Sequence, residues 1–355
     1  MKYKIVSVSV FLSAVLNVAA HDDTRVIASY EGALAKECLR IVDQDGNPVE
    51  GARVYGAFWP TVGGNEYVLV DGFSNANGEY VAQGITKDRL HYRITKNGYY
   101  KSVGDIKYHQ TKSVPAVVNG QWQPFGTTRT VILKRIKKPV EMHCRDGLKN
   151  FKIPTYDQWM GFDFERYAFV APFGDGVASD VLLKFTLKRP SKRDCHVTMD
   201  VSFTNNPYAG AYRLAKDGFS EMKTVYEANA ERNYVKTFSF SYDQANGRSP
   251  VQKSLSESEY LVFRTRTQVD EKGNLVSARY GKICGQWHFV GPRGMSIDQF
   301  AFNPTPNDTN LEDAETARRS FQMWGTPSGV AQTEPFWTSS GFASLLSVGK
   351  AWVRE

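Results

Sequence analysis

Apolar and polar residues alternate with a period of two through most of this chain, and Gly-, Asn-, Asp- and Pro-rich turns interrupt the alternation at short intervals. In the N-terminal part, Leu39, Ile41 and Asp43 open one such run. Ala52, Val54 and Gly56 then face one way, with Arg53 and Tyr55 facing the other. Leu90 to Thr95 alternates again, and Thr128 to Leu133 supplies a last strand. Turns are expected at Asp45-Gly46-Asn47-Pro48, at Lys96-Asn97-Gly98, and as a hairpin at Asn77-Gly78, the strongest short hairpin signal in a sequence.

Beyond Pro139 the strands lengthen. Val181, Leu183, Phe185 and Leu187 share a side. So do Cys195, Val197, Met199, Val201 and Phe203, and then Phe238, Phe240 and Tyr242. A long strand from Tyr260 to Val269 is expected to pair with Leu275 to Cys284 through the turn Asp270 to Asn274. Long amphipathic helical patterns are nearly absent. The pattern predicts an all-β chain of two antiparallel β-sandwich domains, the second larger and jelly-roll-like.

The segment V-D-Q-D-G-N-P-V-E-G-A-R-V (Val42 to Val54), with D-G-F-S-N-A-N-G-E-Y (Asp71 to Tyr80) and K-N-G-Y-Y (Lys96 to Tyr100), resembles the carboxypeptidase regulatory-like domain. That resemblance covers residues 37–136. It implies a transthyretin-like (Ig-like) sandwich grouped with carbohydrate-binding-like folds, serving as a folding accessory or binding module and not as a peptidase. Gly46, Gly51 and Gly78 would satisfy turns, and Val49, Ala52 and Val54 would fill the core. V-A-P-F-G-D-G (Val170 to Gly176), F-R-T-R-T (Phe263 to Thr267), Y-G-K-I (Tyr280 to Ile283) and F-N-P-T-P-N-D (Phe302 to Asp308) extend the likeness. With them the whole chain resembles an uncharacterised exported family of planctomycete and verrucomicrobial bacteria, which adds no chemistry. The expected organisation is a signal peptide at 1–20, the first sandwich at 37–136, the second at 139–313, and a C-terminal tail at 314–355.

Lys2 and Lys4, the apolar run Ile5 to Leu16 and the small residues Val18-Ala19-Ala20 read as a cleavable secretion signal. The mature chain is expected to be secreted or periplasmic, with no membrane span after cleavage. Its formal charge of +7 falls to +5 when the two lysines leave. The densest basic run, Lys134 to Lys138, is expected to be a solvated linker. No nucleic-acid motif accompanies it, so no nucleic-acid partner is expected. The tail holds Trp324, Trp337 and Trp352, and Phe342, Leu345 and Leu346 are spaced for one helical turn.

Four cysteines in an exported chain favour disulfides. All three pairings are open, and Cys144 with Cys195, each opening a strand of the second sandwich, is ranked first. A Cys/His metal site is disfavoured, because neighbouring strand residues point to opposite faces, and no metal or other cofactor is expected. Neither H-x-x-E nor H-E-x-x-H occurs at the six histidines, and G-x-S-x-G is absent. Asp163 and Glu165 would lie about 6–7 Å apart on one strand face, a spacing glycosidases use, yet a solvated loop is the simpler account of them. No catalytic residue is assigned. The binding candidates are Arg264, Arg266 and Tyr260, expected on one sheet face where guanidinium groups and a ring suit acidic or sugar ligands. Trp59 and Trp122 could act similarly in the first sandwich. The leading reading is a non-catalytic exported protein that binds a glycan or another cell-envelope component. A secreted glycan-active hydrolase and a cell-surface interaction scaffold are the alternatives.

Overall fold

The computed structural model describes residues 23–59, 67–146, 150–191, 193–218, 220–246 and 248–321. The chain divides into two compact units. Among the described residues, the first comprises those up to Val42 with Asn47–Ile94 and Val103–Val131, and the second Asp43–Gly46, Thr95–Ser102 and those from Ile132 onward. The expected signal and the tryptophans and apolar set of the tail lie outside the described residues. No described helix is long and apolar enough to cross a membrane.

A short helix, α1 (Asp23–Glu31), precedes the strands of the first unit. These are β1 (Ala33–Asp43), β2 (Arg53–Trp59), β3 (Val68–Phe73), β4 (Glu79–Thr86), β5 (Arg89–Thr95), β6 (Ser102–Lys107), β7 (Val117–Val118), β8 (Gln121–Trp122) and β9 (Thr127–Leu133). One sheet runs β4-β1-β8-β7, with β9 also on β1, and the other runs β3-β2-β5-β6. The period-two pattern explains the layering. Strand β2 buries Val54, Gly56 and Phe58, and β5 buries Leu90, Tyr92 and Ile94, while alternate residues stay nearer solvent. Trp122 is fully buried, donates Nε1–H to the Thr86 carbonyl at 2.8 Å and stacks on Tyr108. It is therefore a core residue. Trp59 lies under the Arg89 guanidinium at 4.9 Å.

Asn77-Gly78 does not close a hairpin, because β3 and β4 belong to different sheets. The turn carries the chain from one layer to the other. Asn75 Oδ1 accepts from the backbone N–H of Asn77 and Glu79, and Gly78 adopts φ +74°. A Cβ at Gly78 would stand 2.3 Å from the Ile41 carbonyl oxygen, the same segment whose N–H donates to Gly78 O at 2.7 Å. Local turn chemistry is right here, but partner choice is set by how the two layers share the core.

The second unit holds β10 (His143–Asp146), β11 (Asn150–Lys152), β12 (Trp159–Asp163), β13 (Ala168–Phe169), β14 (Val181–Lys188), β15 (Cys195–Ser202) and β16 (Gly210–Ala215). It continues with β17 (Thr237–Gln244), β18 (Val251–Lys253), β19 (Glu259–Val269), β20 (Leu275–Ile283), β21 (Trp287–Phe289), β22 (Gly294–Ile297) and β23 (Gln299–Phe302), and α2 (Ala314–Phe321) follows. A six-stranded sheet runs β13-β12-β14-β15-β17-β18, a five-stranded sheet β10-β23-β20-β19-β16, and a small one β11-β22-β21. Their inward-facing side chains meet: Leu183, Phe185, Val197, Met199 and Phe240 join Leu261, Phe263, Phe300, Phe302 and Trp287 in one core. The all-β sandwich architecture expected from the alternation is present.

The five-stranded sheet is covered on its other face as well. Tyr212, Tyr260, Val262 and Tyr280 pack there under Ala228 and Leu311. That is why Tyr260 to Thr265 are buried without interruption, where alternation alone predicts one wet face. The basic run Lys134 to Lys138 is not a solvated linker. Lys134 is buried, and its Nζ donates to Asp217 at 2.6 Å and to the Thr224 carbonyl at 2.8 Å. The backbone N–H groups of Lys137 and Lys138 donate to the Glu312 carboxylate. Buried Lys282 pairs with Asp313 at 2.9 Å, and Asp313 Oδ1 also accepts the Thr316 N–H in the first turn of α2.

Gly46 also has positive φ, +85°, but a Cβ there meets nothing within 4 Å. Gly46→Ala should therefore cost only the left-handed backbone penalty, about 1–2 kcal/mol. Gly78→Ala should cost about 3 kcal/mol or more, since backbone must also shift. Denaturant midpoints of the two variants check this, and equal losses would contradict the close approach at Gly78.

Candidate functional site

Strand β19 places the binding candidates, and a break in its pairing decides what each can do. From Leu261 to Thr265 the strand pairs regularly with β20, Arg264 opposite Tyr280. Thr265 then pairs with Arg279 and Gln268 with Ser277, so β19 carries one extra residue. Arg266 sits in this bulge at φ +48°, a left-handed conformation for a non-glycine residue. The alternation predicts Arg264 and Arg266 on one face, and the bulge puts them on opposite ones.

Arg266 turns inward against Phe302, its guanidinium 4.9 Å from that ring. It meets three carboxylates. Nε and Nη2 donate to Asp180 at 2.9 and 3.1 Å, Nη2 donates to Asp163 at 3.0 Å, and Nη1 donates to Glu165. Thr265 Oγ1 adds a bond to Asp180 Oδ1 at 3.2 Å. His143 Nε2 lies 3.6 Å from Glu165. Arg266 is thus held by the fold and is not offered to a ligand.

The same contacts remove Asp163 and Glu165 as a glycosidase pair. Asp163 ends β12, and its Oδ1 accepts the N–H groups of Glu165 and Arg166, which takes Glu165 off the strand. Oδ2 accepts from Val177 and Ala178, both at 2.9 Å. With Arg266 that makes five donors for a carboxylate with about four lone-pair sites. Burial pushes the Asp163 carboxyl up, but the Ala178, Arg166 and Val177 N–H groups and the Arg266 charge hold it below the usual range. At Asp180 burial wins over Arg266 and pushes the carboxyl up.

Arg264 has the opposite fate. It is 6% exposed and no carboxylate meets it among the described residues. Nε donates to the Tyr208 carbonyl at 2.8 Å and Nη1 to the Ala230 carbonyl at 2.9 Å, and the guanidinium stacks on Tyr234 at 4.0 Å. Nη2 has no protein partner among the described residues. Arg264 forms the floor of a recess of about 360 Å³, with Tyr208, Arg232, Asn233, Tyr234 and Lys236 around it. Arg232, Asn233 and Lys236 are exposed at the rim, and Tyr208 is 44% exposed. The lining carries three cations and no carboxylate.

Local structure fixes this lining. Tyr208, from the β15–β16 loop, has φ +58°, and its hydroxyl donates to the Gly273 carbonyl at 2.8 Å. Thr267 Oγ1 donates to the Pro207 carbonyl, so the bulged strand grips the loop at two points, Thr267 and Arg264. Arg232 lies over Tyr212 at 4.7 Å, and Tyr212 meets Tyr234 edge to face. Tyr260 shares Arg264's sheet face but lies outside the recess. It is 1% exposed, its hydroxyl accepts the Val225 N–H at 3.0 Å, and burial raises its phenol to about 12. Arg232 to Lys236 and Pro207-Tyr208 carry no motif. The basic–aromatic run R-N-Y-V-K was the available signal, and nothing in it locates a recess.

Cys144 and Cys195 stand on opposite sides of the five-stranded sheet. Cys144 pairs with Ala301, between Phe300 and Phe302, whose rings face the core, so its thiol faces away from it. Cys195 lies within that core, its thiol donating to Gln244 Oε1 at 3.8 Å. All four cysteines carry free thiols. Burial pushes the Cys144 thiol up to about 12. Among the described residues no three His, Cys, Asp or Glu side chains are grouped to hold a metal ion.

No family model matches the chain, and no curated protein matches it. Among solved structures it is similar to 3-chlorocatechol 1,2-dioxygenase from Rhodococcus opacus, at 14% identity and TM-score 0.24, over 30% of this chain and 61% of that one. It is also similar to a Bacteroides uniformis protein assigned carbohydrate binding by inference, at 9% identity and TM-score 0.17, over 75% of this chain and 97% of that one. A DUF3823 family protein from Parabacteroides merdae has 10% identity and TM-score 0.18, over 77% of this chain and the whole of that one. At these values none of the likenesses says what this chain binds.

Arg266→Met should leave Asp163 and Asp180 buried without their cation and cost about 3–5 kcal/mol by denaturant unfolding; a loss under about 1 kcal/mol would contradict the bulge's structural role. A depressed Asp163 carboxyl means the native state binds fewer protons than the unfolded one just below the ordinary carboxylate value. Its stabilisation is therefore full above about pH 4 and lost as pH falls through the depressed value. Asp180 titrates with the opposite sign, so the comparison is with Asp163→Asn, whose stability should fall less steeply between about pH 5 and 2. Parallel profiles for the two proteins would contradict the assignment.

Proposed function

We propose that this is a non-catalytic exported protein that binds a carbohydrate of the cell envelope, and that the recess over Arg264 in the second unit is where it does so. The observation that carries this reading is the presence of an exposed tyrosine among donor-bearing residues lining one small hollow. Tyr208 is held by its hydroxyl bond, and the donor-bearing residues Arg232, Asn233, Lys236 and Arg264 line the same hollow. A sugar presents an apolar ring face and a belt of hydroxyl oxygens, and such a lining meets both. The volume is near the lower end of the range for small-molecule sites, about 300–1,000 Å³, which suits one end of a chain and not its length.

Two further points support it. Asp163 and Glu165, the pair spaced like glycosidase carboxylates in the sequence, are engaged by Arg266 and backbone N–H groups, which favours binding over hydrolysis there. The leader-like Lys2 to Ala20 segment and the resemblance of residues 37–136 to an accessory binding module suit a protein that acts outside the cytoplasm.

A glycan array probed with the purified protein should give retention of envelope-type glycans, and product analysis of the bound sugars should find no chain cleavage. Tyr208→Ala should weaken that retention about tenfold through loss of the stacking ring. Release of shortened sugars would overturn the non-catalytic reading. Retention that Tyr208→Ala leaves unchanged would move the site elsewhere.

A further inference from the structure

We infer that the recess over Arg264 recognises an acidic saccharide, one whose carboxylate docks on the Arg264 guanidinium; this rests on the glycan reading and names its ligand class. The ground is the charge imbalance of two arginines on one strand. Arg266 is surrounded by Asp163, Glu165 and Asp180. Arg264 is more deeply buried, yet its partners are two neutral carbonyls and a ring. A guanidinium largely withdrawn from water without a counter-charge is costly, and an anion docking on it would offset that cost. No carboxylate of the lining supplies it, and Arg232 and Lys236 add two more positive charges at the rim.

The shape of the donor set points to a carboxylate. Nε and Nη1 are occupied by the Tyr208 and Ala230 carbonyls, which fix the guanidinium plane, and Nη2 is left for a ligand. A planar carboxylate can accept from Nη2 with one oxygen while Lys236 or Arg232 meets the other. Tyr208, exposed and in the same lining, would offer its ring to the attached pyranose. A uronic acid combines these features in one residue: a planar anion, a ring face and hydroxyl acceptors.

The test is calorimetry with three probes: a galacturonate trisaccharide, the neutral galactose trisaccharide of the same linkage, and inorganic sulfate. Because Arg264 also ties two loops, its removal could unfold the unit, so the informative variant is the exposed pair Arg232→Gln/Lys236→Gln, checked for an unchanged unfolding midpoint. The acidic trisaccharide should bind at least about tenfold more tightly than the neutral one, and the double variant should lose about tenfold. Raising NaCl from about 0.05 to about 0.5 M should weaken it several-fold. Equal binding of acidic and neutral trisaccharides, indifferent to salt, overturns the acidic ligand while the glycan reading stands. Sulfate binding without trisaccharide binding overturns the saccharide ligand and the glycan reading together. Silence of all three probes does the same.

Discussion

The bulge at Arg266 is the constraint on which the second unit's chemistry depends. One extra residue in β19, held at a left-handed backbone angle, turns a side chain that should face outward into the space between the sheets. There it hydrogen-bonds two buried carboxylates and a third nearer solvent. The backbone cost of a left-handed arginine is about 1–2 kcal/mol, small beside the cost of leaving those carboxylates unpaired. The carboxylates in turn hold the chain around them. Asp163 gathers the N–H groups of Glu165, Arg166, Val177 and Ala178, and Asp180 accepts from the Phe164 N–H and the Thr265 hydroxyl.

The same bulge shapes the opposite face. By ending regular pairing just after Thr265, it lets Thr267 and Arg264 clasp the Pro207-Tyr208 turn from one strand. The turn carries the exposed ring of the recess, and the arginine provides its floor. Structure and candidate site are therefore two outcomes of a single break in a β ladder. The fold gathers Asp163, Glu165 and Asp180 around Arg266 on one side of the strand and leaves Arg264, without a carboxylate partner, on the other.

Much of the fold was legible in the sequence. Period-two alternation located the core faces of β14, β15, β17 and β2, and the Asp270 to Asn274 turn between β19 and β20 followed from its Gly and Asn. What it could not give was partner choice. Asn77-Gly78 has ideal turn chemistry, yet its strands go to different sheets, because sheet membership depends on layer packing and not on the turn. Lys134 to Lys138 looked solvated because its partners, Asp217, Thr224 and Glu312, are distant in sequence. Of the candidate site, alternation placed Arg264 and Tyr260 on a common face, but the Arg266 bulge has no Gly to announce it, and Tyr260 is covered by a segment whose docking no local pattern reveals.

The most direct measurement is a crystal structure of the protein with a uronate oligosaccharide bound. The account predicts the sugar carboxylate within about 3 Å of Arg264 Nη2, with its ring against Tyr208. A saccharide bound on any other surface, with Arg264 still bonded only to the Tyr208 and Ala230 carbonyls, would contradict it.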